Sequence, residues 1–371
     1  MAERWDAIIV GLGPAGAAAA FHLARSGARV LVLAGRAGRA KPCGGCLSRR
    51  AADLLDFLEP PRWLRARPVS TLELAAASRP TGRFQTGLPG AFFVERRRLD
   101  EFLASRAAEA GATVLAETAR GVELEKGGAR VRGRVGPWRS DWLLGADGAQ
   151  GLTGRALGLG RTSYVYTALV EERPLPGALA ERLEGAALLD LGAAPGGYAW
   201  AFGRHGVLNL GLAGRGQHLA STQGLLGLYQ AFLARQGLGR PGHWRGALIP
   251  CPDRRRPLLF RGRAAVAGDA AATADPFLGE GIGQAVQSGL CAARAILAGD
   301  LGRYQVEMAA TLYREHAHAR ALAGLVHRLP GAFQGLARRR PGSIELVWAV
   351  LRGQMTYGGI WAGVARGLLG R

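Results

Sequence analysis

VAGDAAATADPFLGEGIGQAVQSG, the stretch from Val266 to Gly289, decides the fold of this 371-residue chain. The apolar residues Ala264–Ala267 predict a β-strand, and the pattern from about Gly281 to Leu297 predicts a helix. Asp269 is therefore expected at the carboxyl end of a strand, where open α/β sheets bind their ligands. The stretch thus predicts the ligand-binding edge of an α/β fold.

A glycine-rich turn near the N-terminus predicts what this edge binds. Gly11-Leu-Gly-Pro-Ala-Gly16 follows the apolar run Ala7–Val10 and opens a helical pattern from Ala15 to about Arg25. Glycines permit a tight turn, so a pyrophosphate can sit on the free N–H groups at the start of the helix. The motif alone is a weak signal in a chain with 57 glycines. Because this motif and residues 266–289 are both predicted to lie at the ligand-binding edge of the same sheet, the two together predict a bound dinucleotide.

Composition argues against several classes of protein. The net charge is +20, and Lys41 and Lys126 are the only lysines among 48 basic residues. No basic run is interleaved with aromatic residues, so we expect no nucleic-acid binding. Glycines and Pro14 interrupt the apolar stretch 7–20, which therefore predicts neither a signal peptide nor a membrane span. Four cysteines are too few for a disulfide scaffold, and we expect a cytoplasmic protein.

The order of the segments predicts one α/β domain that carries an inserted sheet domain. Nucleotide-binding segments are expected at 1–66, 96–160 and 258–325, β-rich segments of a substrate domain at 67–95 and 161–257, and a helical C-terminal segment at 326–371. The C-terminal helices are expected to break at Pro330 and Pro341. Within the first segment, residues 47–58 have a helical pattern.

The same motifs resemble those of flavoproteins of the aromatic-hydroxylase fold group, and most of all those of the geranylgeranyl reductase family. The resemblance extends from Ile8 to Tyr357. It implies a Rossmann-type FAD-binding domain, an inserted β-sheet substrate domain and C-terminal helices, with FAD as the cofactor. The cofactor-binding positions that it implies are Gly11, Gly13, Pro14, Ala15, Gly16, Arg36, Cys43, Gly44, Gly45, Arg96, Asp147, Gly148, Gly268, Asp269, Pro276, Gly279, Gly281 and Ile282.

The resemblance also implies roles for some of these residues. Arg96 would open a long helix near the cofactor, and Asp147-Gly148 would form the second nucleotide motif. Asp269 would hydrogen-bond the ribityl chain, and the helix after it would point its N-terminus at the flavin pyrimidine. Glycines at 279, 281 and 283 would let the backbone approach the isoalloxazine ring.

The chain departs from the family at two positions. A carboxylate normally follows the second strand and holds the adenosine ribose, whereas here Val30–Leu33 runs into Ala34-Gly35. Either another group takes the ribose, with Arg36 as the candidate through the adjacent phosphate or ring, or FAD binds less tightly. Gly151 stands where a serine is usual.

Lys41-Pro-Cys-Gly-Gly-Cys46 is similar to a Pro-Cys-Gly-Gly-Gly segment that brings a cysteine close to the flavin in this family. Cys43 matches that cysteine, and Pro42 with two glycines predicts a tight turn against the ring. A Cys-x-x-Cys pair can also be a redox dithiol or half of a zinc site. No second such pair and no His pair completes a zinc site, so no metal is expected. The dithiol stays an alternative, beside Cys46 as a small residue that fills the turn.

Tyr198-Ala-Trp-Ala-Phe202 predicts a strand with three aromatic side chains on one face. A similar Tyr-x-Trp-x-Phe-Pro string lines the prenyl pocket of the related reductases, with proline where this chain has Gly203. The resemblance therefore implies that Tyr198, Trp200 and Phe202 contact the substrate. An ordinary aromatic strand core is the alternative.

The leading hypothesis is an FAD-dependent oxidoreductase that reduces carbon–carbon double bonds of an isoprenoid chain. An isolated alkene has no carbonyl to stabilise charge, so the proton donor must be well placed. Cys43 is the preferred catalytic residue, with Tyr198 or an ordered water behind it. The alternatives are a flavin monooxygenase that hydroxylates a small hydrophobic or aromatic substrate, and an electron-transfer flavoprotein that docks an acidic carrier.

The expected partners are a hydrophobic prenyl-type substrate and an electron donor, either NAD(P)H or ferredoxin. Residues 338–340 and the apolar segment 344–351 allow two interpretations. They form a peripheral contact with a membrane surface, or a solvated basic loop followed by a core helix.

Overall fold

The computed structural model describes residues 4–35, 41–76, 82–204, 206–216, 219 and 221–369. The strands in these ranges are β1 (Arg4–Val10), β2 (Val30–Leu33), β3 (Cys46–Ser48), β4 (Pro68–Val69), β5 (Thr71–Ala76), β6 (Gly82–Gln85), β7 (Ala91–Phe93), β8 (Thr113–Leu115), β9 (Gly121–Glu125), β10 (Gly128–Arg132), β11 (Trp138–Gly145), β12 (Val165–Pro174), β13 (Ala186–Leu191), β14 (Tyr198–Arg204), β15 (Val207–Gly214), β16 (Trp244–Pro250), β17 (Phe260–Arg261) and β18 (Ala264–Val266). The helices are α1 (Pro14–Arg25), α2 (Arg49–Asp53), α3 (Arg96–Glu109), α4 (Leu152–Leu157), α5 (Gly177–Leu183), α6 (Thr222–Arg235), α7 (Ile282–Leu297), α8 (Leu301–Ala310), α9 (Leu312–Arg328), α10 (Pro330–Arg339), α11 (Gly342–Leu351) and α12 (Tyr357–Leu369).

The first sheet is the predicted α/β sheet, with strand order β17-β18-β11-β1-β2-β8 and the hairpin β9–β10 joined to β11. The five strands from β18 to β8 run parallel, and the central ones are buried on both faces, as expected for such a sheet. Val10 is in register with Leu33 and Gly145, and Gly145 is in register with Val266. The residues that follow these strands therefore meet along one edge.

The second sheet has the order β16-β12-β15-β14-β13-β5-β6, antiparallel except between β13 and β5. One face carries leucines such as Leu208 and Leu210, which pack on Tyr229 and Phe232 of α6. The opposite face packs against α9–α12. Because successive residues of a strand point to opposite faces, the aromatic residues of β14 lie on the face towards these helices.

Residues 47–58 differ from the predicted helix. Leu47 lies in β3 and is paired with Phe92 of β7, within a small third sheet of order β3-β7-β4. Only the short α2 is α-helical, and it begins after Ser48, whose Oγ accepts a hydrogen bond from Ala51 N. The predicted β-rich segment 67–95 is consequently divided between two sheets, because β7 pairs with β3 and β4 in the small sheet, whereas β5 and β6 pair within the second sheet. The predicted domain limits stay a prediction.

The C-terminal helices break at both predicted prolines. α9 ends before Pro330, and α10 ends before Pro341. The predicted limit between residues 325 and 326 lies inside α9. Ile344 and Trp348 of α11 are buried, so this helix belongs to the core. Among the described residues, no helix is both long enough and apolar enough to cross a bilayer.

His316 of α9 makes the stability depend on pH. Its side chain is buried, its Nδ1 has no partner in the described part of the chain, and burial together with the charges of Arg50 and Arg320 lowers its pKa to about 3. As the pH falls below the ordinary histidine pKa of 6.5, this histidine is protonated in the unfolded chain but stays neutral in the folded chain. The unfolding free energy therefore decreases by up to ~1.4 kcal/mol for each pH unit.

We therefore expect His316→Gln, which cannot be protonated, to lose less stability than the wild type between pH 7 and pH 4. Urea unfolding at each pH measures the difference. Parallel losses in the two proteins would show that His316 does not carry this pH dependence.

Candidate active site

The turn after β1 has the geometry of a phosphate cradle. Gly11 has φ +102°, and a Cβ there would lie 2.3 Å from Ala146 O. A Cβ on Gly16 would lie 2.0 Å from Gly11 O, whereas a Cβ on Gly13 would meet no atom within 4 Å in the part of the chain that the structure describes. Helix α1 begins after Gly13 with no side-chain cap and no acidic residue in its first turn. Its first N–H groups therefore face open space, which fits a pyrophosphate.

Asp147 follows β11 at the same edge. Its Oδ2 accepts hydrogen bonds from Thr153 N (2.9 Å) and Thr153 Oγ1 (3.1 Å), while its buried Oδ1 has no partner among the described residues. Burial raises the pKa of this carboxyl group. A Cβ on Gly151 would lie 2.2 Å from Asp147 Oδ1, so the serine that is usual in the family does not fit here unless Asp147 moves.

Asp269 lies after β18, where the sequence predicts it. It forms an ion pair with Lys41. The N-terminus of α7 has no side-chain cap, and a Cβ on Gly281 would lie 4.0 Å from Asp269 Oδ1, so the carboxylate and the helix N-terminus face each other. This arrangement fits a polar chain such as the ribityl of FAD. Lys41 was not predicted as a site residue, because nothing local in the sequence connects it to Asp269.

Asp275 stabilises the loop 275–281, which lies between Asp269 and α7, through hydrogen bonds to its carboxylate. Asp275 Oδ1 accepts hydrogen bonds from Phe277 N (2.7 Å) and Leu278 N (3.0 Å), and Oδ2 accepts one from Tyr357 Oη of α12 (2.8 Å). Burial raises the pKa of Asp275. The C-terminal helix therefore supports the loop that contains Pro276 and Gly279. Asp275 was also missed, although an Asp-Pro pair is typical of a turn.

Cys43 lies in a turn beside Arg96. Its Sγ accepts a hydrogen bond from Gly45 N (3.3 Å). Arg96, at the start of α3, forms an ion pair with Asp100 at 2.8 Å. Burial lowers the pKa of Arg96, but Asp100 and Cys43 raise it by more, so the net shift is upward. Cys46 is the first residue of β3, where burial, Glu280 and Cys43 raise the pKa of its thiol. Both thiols are free.

The aromatic residues of β14 form a row that connects this turn with the loop 275–281. Ring centroids are 6.2 Å apart for Tyr198 and Trp200, and 6.3 Å for Trp200 and Phe202. A Cβ on Gly44 would lie 3.0 Å from Phe202 Cε2 and 3.2 Å from Trp200 Nε1. At the other end, Tyr198 Oη donates a hydrogen bond to Leu278 O (2.5 Å). The structure thus brings the predicted catalytic, substrate and flavin segments together.

No carboxylate directly follows β2 in the sequence to hold the adenosine ribose. Arg36, the candidate, lies outside the described residues. A Cβ on Gly35 would lie 2.3 Å from Thr118 Oγ1, and Thr118 donates a hydrogen bond to Gly35 O. There is no room at position 35 for a carboxylate side chain, which gives a steric reason for the missing acid.

Comparison with known sequences supports the cofactor. The FAD binding domain family matches residues 4–172. With the edge geometry described above, this match defines an FAD-dependent oxidoreductase.

Two curated relatives and one solved structure extend the match. The geranylgeranyl diphosphate reductase of Rhodobacter capsulatus is 30% identical over 308 residues, which cover 80% of this chain and 75% of that protein. A digeranylgeranylglycerophospholipid reductase of Methanothermobacter thermautotrophicus is 31% identical, over 81% of each chain. A geranylgeranyl bacteriochlorophyll reductase-like structure from Thermoplasma acidophilum shares the fold, with a TM-score of 0.75, 24% identity and 87% of each chain covered. The chain belongs to the geranylgeranyl reductase family.

Proposed function

We propose that this protein reduces carbon–carbon double bonds in an isoprenoid chain. The observation that supports the proposal is the contact of the Cys43–Gly45 turn with Trp200 and Phe202, next to the edge that fits FAD. The reductase relatives named above act on geranylgeranyl groups, which are long and apolar. When bound, FAD would supply a hydride for one alkene carbon.

The residues of the chain would orient the alkene and supply its proton. The row Tyr198, Trp200 and Phe202 offers an apolar wall that buries a prenyl chain and excludes water. Cys43 is the proposed proton donor, since it immediately precedes Gly44, which contacts Trp200 and Phe202, and its Sγ accepts a hydrogen bond within the same turn. Burial raises the pKa of Tyr198, and its hydroxyl donates to Leu278 O, so Tyr198 keeps its proton and supports the loop.

The test is anaerobic incubation of the dithionite-reduced holoenzyme with geranylgeranyl diphosphate, a geranylgeranylated glycerophospholipid and a menaquinone. Mass spectrometry should show a gain of two hydrogens per reduced double bond in at least one of them. Oxygen-dependent addition of an oxygen atom to any of these compounds, with no anaerobic reduction, would contradict the proposal and favour the monooxygenase.

Gly211 provides a test of whether the row is a pocket wall or only core. A Cβ on Gly211 would lie 2.1 Å from Trp200 Cζ2, so Gly211→Ala must displace the indole, at a cost of about 2 kcal/mol. We expect lower stability in urea and a raised KM for the prenyl substrate. Gly246→Ala is the control, because the nearest atom to its Cβ is 3.9 Å away. A stability loss with an unchanged KM would assign the row to the core alone.

The electron donor stays a prediction, with NAD(P)H and ferredoxin as the candidates. Flavin reduction by either donor can be followed at 450 nm, and docking of an acidic carrier by a basic surface predicts a rate that falls steeply with salt. The cytoplasmic location and a peripheral membrane contact also stay predictions.

A further inference from the structure

Asn209 of β15 connects the aromatic row to the cysteine turn. The residue is completely buried. Its Oδ1 accepts a hydrogen bond from Trp200 Nε1 at 2.9 Å. Its Nδ2 donates to Cys43 O at 3.0 Å and to Glu172 Oε1 at 3.0 Å. Two of these three hydrogen bonds therefore end on residues of the candidate site, and the third ends on the neighbouring Glu172.

A second set of contacts reaches the same turn through Arg204. Glu172 is opposite Asn209 in the β12–β15 register and forms an ion pair with the buried Arg204. Arg204 Nη1 donates to Val94 O at 3.0 Å, and Val94 N donates to Gly45 O at 2.8 Å. The network therefore holds the turn at both ends, at Cys43 by Asn209 and at Gly45 through Val94.

We propose that Asn209 is a positioning residue that fixes the Cys43–Gly45 turn relative to the Trp200 indole. An amide is required, because one oxygen must accept from Trp200 while one nitrogen donates to Cys43 O, and a carboxylate of the same shape has no hydrogen to donate. These two bonds set the position of the Cys43 backbone relative to the Trp200 indole. This role of Asn209 in catalysis rests on the function proposed above, but the experiment that tests it needs no substrate.

The test compares three variants of the FAD-loaded protein in a Cys46→Ser background. Asn209→Asp removes the donation to Cys43 O and places two carboxylates side by side. Asn209→Asp/Glu172→Gln has the same net charge as the parent, and the new amide at position 172 can donate to the new carboxylate at position 209. This double variant repairs the pair but lacks the bond to Cys43 O, and it shares with Glu172→Gln the loss of the ion pair with Arg204. Glu172→Gln alone keeps the bond to Cys43 O.

The readouts are the melting temperature and the rate at which iodoacetamide alkylates Cys43, located by mass spectrometry. We expect Asn209→Asp to melt at a lower temperature and the double variant to recover most of that loss. Alkylation of Cys43 should be about tenfold faster in both variants that lack the bond to Cys43 O, and unchanged in Glu172→Gln.

Alkylation at the parental rate in the double variant would overturn the proposal and leave Asn209 a purely structural residue. If Asn209→Asp alone does not fold, the comparison of Glu172→Gln with the double variant still decides. A panel of prenyl compounds that are not reduced would contradict the proposed function and leave these alkylation rates unaffected.

Discussion

Gly11→Ala is expected to abolish FAD binding and to lower the unfolding free energy by about 3 kcal/mol. Two causes add up at this position. A side chain is strained at φ +102°, and the new Cβ would lie 2.3 Å from Ala146 O, a backbone atom that cannot move without disturbing the β1–β11 pairing. The strand ends that form the binding edge would therefore separate.

Gly13→Ala is the matched comparison two residues away. Its φ of −75° suits any residue, and its Cβ would contact no atom of the described residues, so the free energy of unfolding without FAD should not change. The same Cβ would occupy the space in front of the α1 N-terminus, and we expect about 30-fold weaker FAD binding from the loss of one charge-assisted hydrogen bond.

Urea unfolding of the apoproteins and FAD titration by flavin fluorescence measure the two effects separately. Equal loss of stability in the two variants would show that Gly11 is not under the strain described here. Unchanged FAD affinity in Gly13→Ala would place the pyrophosphate elsewhere.

Cys43→Ser is expected to lower kcat by about 100-fold while FAD stays bound, because a hydroxyl is a much weaker acid than a thiol and general acid catalysis is typically worth this much. The variant keeps the shape of the turn, since an oxygen can still accept the hydrogen bond from Gly45 N. Turnover of the prenyl substrate and the flavin absorption spectrum are the two measurements. Full turnover with an unchanged pH dependence would remove Cys43 from the mechanism.

Cys46→Ser is the control for Cys43→Ser and also tests the dithiol alternative. If Cys46 only fills the turn, its replacement should leave kcat within about twofold, an effect below ~0.5 kcal/mol. A dithiol relay requires both thiols, so losses of equal size in the two variants, with an oxidised Cys43–Cys46 disulfide in the resting enzyme, would favour the relay.

Features set by neighbouring residues could be predicted from the sequence. The ends of β1, β11 and β18, the turns that follow them and the breaks at Pro330 and Pro341 were all predicted, because apolar runs, glycines and prolines act over a few residues. The helical pattern of 47–58 was misleading for a non-local reason. Pairing of Leu47 with Phe92, which lies far along the chain, makes this part of it a strand.

The site residues divide in the same way. Motifs predicted Cys43, Trp200 and Asp269 as candidate site residues, whereas they did not predict Lys41 and Asn209. Asn209 is the one polar residue of the otherwise apolar β15, and that signal indicated a buried partner without identifying it. Its partner Cys43 O is 166 residues away in the sequence.

The α/β sheet and the glycine turns along its edge could be predicted from the sequence alone, because strands, turns and helix starts depend on neighbouring residues, and the resemblance of these motifs to a known family implied FAD. How the parts of the site meet depends on the tertiary structure. The support of the loop 275–281 by Tyr357, and the connection of the Cys43 turn to Trp200 by Asn209, depend on the packing of the second sheet and the C-terminal helices against the first. Such contacts join residues far apart in the chain, and no periodicity in the sequence encodes them.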